Sequence, residues 1–174
     1  MTDRLRIPVP FGPDVSGQAA VEESQLVDNR VRRLERGWHV WDDATWTATT
    51  TNPVLGNGSL EAWYRFDDRW MEVSVELTMG STTTYGSGTW RFSGRPVSDL
   101  PYDGLPGVGW CGFRDVSAGA YYLGQVIYLS DQLAPRIPNY AGSNGATVGT
   151  TSTAPFTWAS TDVFNLYAKF RYRD

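Results

Sequence analysis

The segment LEAWYRFDDRWMEVSVELT, residues 60–78, decides the fold class. In its first half Leu60, Ala62, Tyr64 and Phe66 alternate with Glu61, Trp63, Arg65 and Asp67. In its second half Met71, Val73, Val75 and Leu77 alternate with Glu72, Ser74, Glu76 and Thr78. A period of two puts each set on one face of a β-strand. Between the halves, Asp67-Asp68-Arg69 has the short polar side chains of a turn. The segment therefore predicts an antiparallel hairpin with one apolar and one polar face.

Further strand-like runs flank it. Residues 88–93 carry Trp90 and Phe92; residues 107–114 and 120–129 are apolar and aromatic; residues 163–172 place Phe164, Leu166, Ala168, Phe170 and Tyr172 on one side. With residues 45–50 and a weaker run at 146–150, the total is about eight strands, as in a jelly roll or related sandwich. The expectation is a mainly β protein whose head, residues 38–174, is an antiparallel jelly-roll-like β-sandwich. Loops at 99–106 and 135–145, rich in Pro, Gly and Asn, lie where recognition loops often lie. No internal repeat is evident.

The first 37 residues differ in kind. Pro8, Pro10 and Pro13 forbid a regular helix, so residues 1–17 read as an extended arm. Ile7, Pro8, Val9, Pro10 and Phe11 make this arm apolar enough to need a dock, and they are the expected particle-anchoring residues; the alternative is a terminus folded back on its own domain. Residues 18–37 hold the single good helix pattern. Asp14 or Ser16 can cap it, Glu22 and Glu23 lie at its start, and Arg30, Arg32, Arg33 and Arg36 lie at its end, complementing the helix dipole. Gly37 supplies the C′ residue. Ala20, Ser24, Val27, Val31 and Leu34 form a thin heptad seam, expected to hold a trimeric coiled coil. The other reading packs this stripe on the β head.

Composition narrows the function classes. The chain has 174 residues, a net charge of -4 and 14% aromatics, among them eight tryptophans. That charge disfavours a general nucleic-acid binder. One cysteine and one histidine give no intramolecular disulfide and no zinc pattern. The first residues lack the apolar core of a signal peptide, and no run reaches the roughly 18 apolar residues of a membrane span. The expectation is synthesis in the cytoplasm without membrane insertion.

Catalytic signals are thin. Asp42-Asp43 and Asp67-Asp68 are adjacent, and strand neighbours point to opposite faces. His39 sits among tryptophans with no nucleophile elbow in the chain. Cys111 reads as a buried thiol. The stretch from Gly80 to Gly88 lacks the Lys of a phosphate loop. No catalytic residue, metal or cofactor is expected. Trp63, Trp70, Tyr121 and Tyr122 are a different matter: on a sheet surface such rings either stack on a glycan or pack on a partner subunit.

Three stretches carry a family likeness: WTATTTNPVLGNGSL at 46–60 followed by Tyr64 and Arg65, LTMGSTTTYGSGTWRFS at 77–93, and PFTWA at 155–159 with DVFNL at 162–166. Together they resemble a β module of actinobacteriophage virion proteins of the minor tail, fibre or decoration type. The resemblance implies a particle component, and it carries over no binding or catalytic residues. The resulting expectation is a virion structural protein, a short fibre, minor tail or capsid-decoration protein. It would be a homotrimer, docked on other virion proteins through its arm, displaying a β head toward the host surface or stabilising the particle. A carbohydrate-binding adhesion module is the alternative, and a cell-wall polysaccharide hydrolase the third reading.

Overall fold

The computed structural model describes residues 37–67, 70–93, 96, 108–129, 131–139 and 146–171. The arm with Ile7, Pro8, Val9, Pro10 and Phe11, and the helix with its seam of Ala20, Ser24, Val27, Val31 and Leu34, lie outside the described residues, as does the coiled coil expected from them.

Among the described residues ten β-strands appear: β1 His39–Val40, β2 Trp46–Ala48, β3 Ser59–Asp67, β4 Trp70–Thr78, β5 Trp90–Ser93, β6 Val108–Asp115, β7 Ala120–Leu129, β8 Gln132–Pro138, β9 Thr147–Gly149 and β10 Val163–Arg171. The hairpin read from residues 60–78 is β3–β4, with Leu60 opposite Leu77, Tyr64 opposite Val73 and Phe66 opposite Met71. The strands join one antiparallel sheet in the order β1-β3-β4-β10-β6-β7-β8-β5-β2, with β9 added beside β8.

This sheet cannot lie flat. Its two ends, β1 and β2, are consecutive in the chain and joined by residues 41–45 alone. Eight strand spacings of about 4.8 Å would separate them by about 38 Å in a flat sheet. The connecting residues span about 20 Å when fully extended. The sheet therefore curls into a half-barrel. Across its hollow Phe92 of β5 stacks on Phe164 of β10 with ring centroids 5.1 Å apart, although three strands separate β5 from β10 along the sheet. The antiparallel, mainly β head expected from the sequence is present. Where a jelly-roll-like sandwich of two layers was expected, one continuous sheet folds over its own core, because the short 41–45 link draws the sheet's ends together.

The inner face follows the period-two pattern. Tyr64, Phe66, Met71, Val73, Val75, Leu77, Phe164, Leu166, Phe170, Cys111 and Phe113 are all buried. Trp90, Trp158 and Phe156 make a ring cluster, with centroids 4.8 Å apart for Trp90–Trp158 and 4.6 Å for Phe156–Trp158. Trp158 also donates its Nε1–H to the carbonyl of Thr151 at 3.0 Å, so its polar end is satisfied.

Strand β8 is the element the sequence hides. Pro135 and Pro138 placed much of it in a loop, since proline cannot donate within a ladder. Pro135 is nonetheless buried and paired with Val126. It tolerates the site because β8 changes partner there: β5 pairs with residues 132–133, and β9 with residues 136–138.

Candidate surface on the outer face

The outward set of each strand forms a second pattern. Register places Trp63, Ser74, Tyr167, Trp110, Gln125 and Arg136 opposite one another on β3, β4, β10, β6, β7 and β8. They form one row across the convex side of the half-barrel. Trp110 is 54% exposed, and its ring stacks on Tyr167 at 6.2 Å. Beside this row Tyr121 and Leu123 of β7 are 72% and 71% exposed. The Arg114 guanidinium lies over the Tyr121 ring, 5.6 Å from its centroid. Rings this exposed do not serve the chain's own core.

Next to the row lies a charged cluster. Glu72 is buried, yet it faces the polar side of β4. It is held between cross-strand neighbours: Arg65 Nε donates to Oε2 at 2.6 Å and Lys169 Nζ to Oε1 at 2.9 Å. Lys169 also lies 3.5 Å from Asp67. The rings of Trp38 and Trp70 cover the two cations, at 4.9 Å from Arg65 and 5.4 Å from Lys169. A hollow of about 340 Å³ opens beside them, lined by Trp38, Trp63 and Ser74.

Burial alone opposes ionisation of Glu72, but hydrogen bonds from Lys169, Arg65 and the Tyr167 hydroxyl outweigh it and hold the carboxyl below its ordinary value of 4.5. A lowered folded-state pKa stabilises the fold fully above the unfolded value, and that stability is lost as pH falls through the folded value. Thermal melts between about pH 6 and pH 3 should therefore show a steeper loss of stability for the native chain than for Glu72→Gln, which has no proton to take up there. Equal slopes would mean that the three hydrogen bonds contribute nothing.

The four rings singled out by sequence are split. Trp70 and Tyr121 stand exposed on the outer face, and Trp63 is half-buried there at the hollow. Tyr122 turns the other way and packs on Phe156 with centroids 5.3 Å apart. His39 meets the Tyr64 ring at 5.4 Å. Cys111 is fully buried, and burial pushes its thiol up to about 12, so it is inert as a nucleophile. Among the described residues no three His, Cys, Asp or Glu side chains come together in a way that could hold a metal. Sequence reading did not single out Trp110, Tyr167, Glu72, Arg91 or Arg136. For Trp110 a signal existed, since it alternates with Cys111 and falls in phase with Gly112 and Arg114. For the others the signal is cross-strand register, which one sequence does not display.

No protein-family model matches the chain, and no solved structure matches it. Over 129 residues the chain is 28% identical to the Mu-like prophage FluMu defective tail fiber protein of Haemophilus influenzae. That alignment takes in 68% of this chain and 18% of the length of the tail fiber protein, so the chain compares with a minor part of that molecule.

Proposed function

We propose that this chain is a structural protein of a phage particle, of the tail-fibre type, whose β head is displayed for contact with the host surface. The observation that carries the reading is the similarity to a prophage tail fiber protein. The exposed Trp110, Tyr121 and Leu123 on the convex side add to it, because a displayed head needs a contact face. In this reading Ile7, Pro8, Val9, Pro10 and Phe11 anchor the chain to other virion proteins. Ala20, Ser24, Val27, Val31 and Leu34 close a homotrimer, and the head works by binding, without catalysis. The finer expectation of an actinobacteriophage module belongs to the same proposal, with a minor-tail or capsid-decoration place on the particle as its alternatives.

Removing residues 1–15 should abolish incorporation into particles while the head keeps its native β circular dichroism and melting transition. Immunogold labelling of assembled particles reads the outcome directly. Unlabelled particles with the full-length chain overturn the reading. Normal incorporation of the shortened chain overturns the anchor. Light scattering at micromolar concentration tests the trimer, and a monomer there removes it.

The second reading, a carbohydrate-binding adhesion module, is favoured by one feature: Trp110 and Tyr167 present their rings beside hydrogen-bonding side chains on a single face. The two readings are compatible, since a fibre head can bind a glycan.

A further inference from the structure

We propose that the outer face around β6, β7, β8 and β5 binds an acidic glycan, with Trp110 and Tyr167 stacking on sugar rings and Arg136 with Arg91 taking a carboxylate on the same saccharide. The inference deepens the display reading above and rests on it for its biological setting; its chemistry rests on the side chains alone.

The arginines make the first argument. Trp90 and Phe92 are buried inside, so Arg91 between them faces out; Arg136 faces out from β8, opposite Gln125. Arg136 is fixed in place: its Nη2 donates to the carbonyl of Thr147 at 2.8 Å and its Nε to Thr147 Oγ1 at 3.4 Å. Among the described residues the Arg91 guanidinium donates only to the carbonyl of Trp90, at 3.4 Å. Among the described residues neither guanidinium has a carboxylate partner, although the chain has 19 acidic residues against 15 basic ones. Burial and then the repulsion of Arg136 both work against the charge on Arg91. Phe92 pairs with Leu133, so Arg91 and Arg136 stand on neighbouring strands of this face, and a guanidinium fork matches the geometry of a carboxylate. An arriving carboxylate supplies the missing partner.

The aromatic row supplies the second argument. From Arg136 it runs through Gln125 and Trp110 to Tyr167, three strand spacings or about 14 Å, the reach of a short oligosaccharide. The exposed Trp110 ring and the half-buried Tyr167 ring beside it can accept the C–H side of a sugar, while the amide of Gln125 and the hydroxyl of Ser74 beside them can meet its hydroxyls. A protein partner is a poorer fit, since the apolar groups lie in a line broken by polar ones. So is a nucleic-acid strand, which runs on past Tyr167 to the β3–β4 side of the same face, where Glu61, Glu76 and Asp67 are exposed and repel it.

Calorimetric titration of the full chain provides the test. The probes are oligogalacturonate, a sialylated oligosaccharide, methyl-esterified oligogalacturonate and a single-stranded DNA oligonucleotide. At least one acidic oligosaccharide should bind. For galacturonate, methyl esterification should weaken binding about tenfold. The Arg91→Gln, Arg136→Gln double variant should lose this preference for acid over ester, and Trp110→Ala should weaken both forms alike. Esterification leaves the protein untouched, so that comparison stands even where a variant folds poorly. Equal affinity for acid and ester, no binding of either acidic probe up to about 1 mM, or tighter binding of DNA overturns the proposal. A chain located on particles that fails every acidic probe keeps the particle role and loses this site.

Discussion

Replacing Phe164 with alanine should cost about 3–5 kcal/mol of folding stability, the range for deleting a large buried aromatic side chain. The ring is fully buried. It lies nearly parallel to Phe92 at 5.1 Å and meets Phe113 at 5.3 Å, so one residue of β10 joins β6 beside it to β5 across the hollow. These contacts replace the second layer that a sandwich would supply. When the ring is removed, the neighbours can close the cavity only if the sheet changes curvature, and the 41–45 link between its ends resists that change. A domain of this size is stable by about 5–15 kcal/mol, so the variant should unfold at much lower urea concentration and melt far earlier. Trp70→Ala, exposed on the outer face, is the control and should shift stability by about 1 kcal/mol or less. A Phe164→Ala loss below about 1 kcal/mol would mean that the inner face repacks freely and that the half-barrel is not held by these rings.

The parts of this arrangement that sequence disclosed are those that need only local information. The β3–β4 hairpin and β10 declared themselves because their apolar residues keep strict phase for nine residues each. The short strand β9 was also legible, as the weak run at residues 146–150. Strand β8 was not, since its prolines look like breakers until the change of partner beside Pro135 is known. The curl was invisible too. It depends on β1 and β2 lying at opposite ends of the sheet, which is a matter of pairing and not of pattern. The candidate surface shows the same division. Alternation put Trp63 on the outer face, but Tyr121 and Tyr122 could not be told apart until Arg114 and Phe113 opposite them fixed the phase of β7. Glu72 read as an ordinary exposed position. Its burial comes from Arg65 and Lys169, which flank it from two other strands.

The second large effect belongs to a motif that sequence displayed without explaining. Gly56-Asn57-Gly58 and Gly80 lie in the two crossovers, residues 49–58 and 79–89, which carry the chain between opposite sides of the half-barrel. The crossovers run side by side, bridged at Thr51–Ser87 and Val54–Thr84. Asn57 ties them further: its Oδ1 accepts from the Thr82 N–H at 2.9 Å and the Thr82 hydroxyl at 2.9 Å. A Cβ on Gly80 would sit 2.5 Å from the carbonyl carbon of Asn57 and closer still to Asn57 Oδ1 and the Gly58 nitrogen. Two of these three atoms are backbone, so the clash cannot be relieved by turning a side chain. Gly80→Ala should therefore fall at the upper end of the cost of overpacking, about 3 kcal/mol, and melt earlier in proportion. Gly37→Ala, whose added methyl meets nothing within 4 Å, should be near neutral. The contrast isolates close approach of backbone to backbone from the general loss of glycine. If Gly80→Ala melts with the native chain, the crossovers are free to separate, and the Gly-Asn-Gly motif serves something other than their contact.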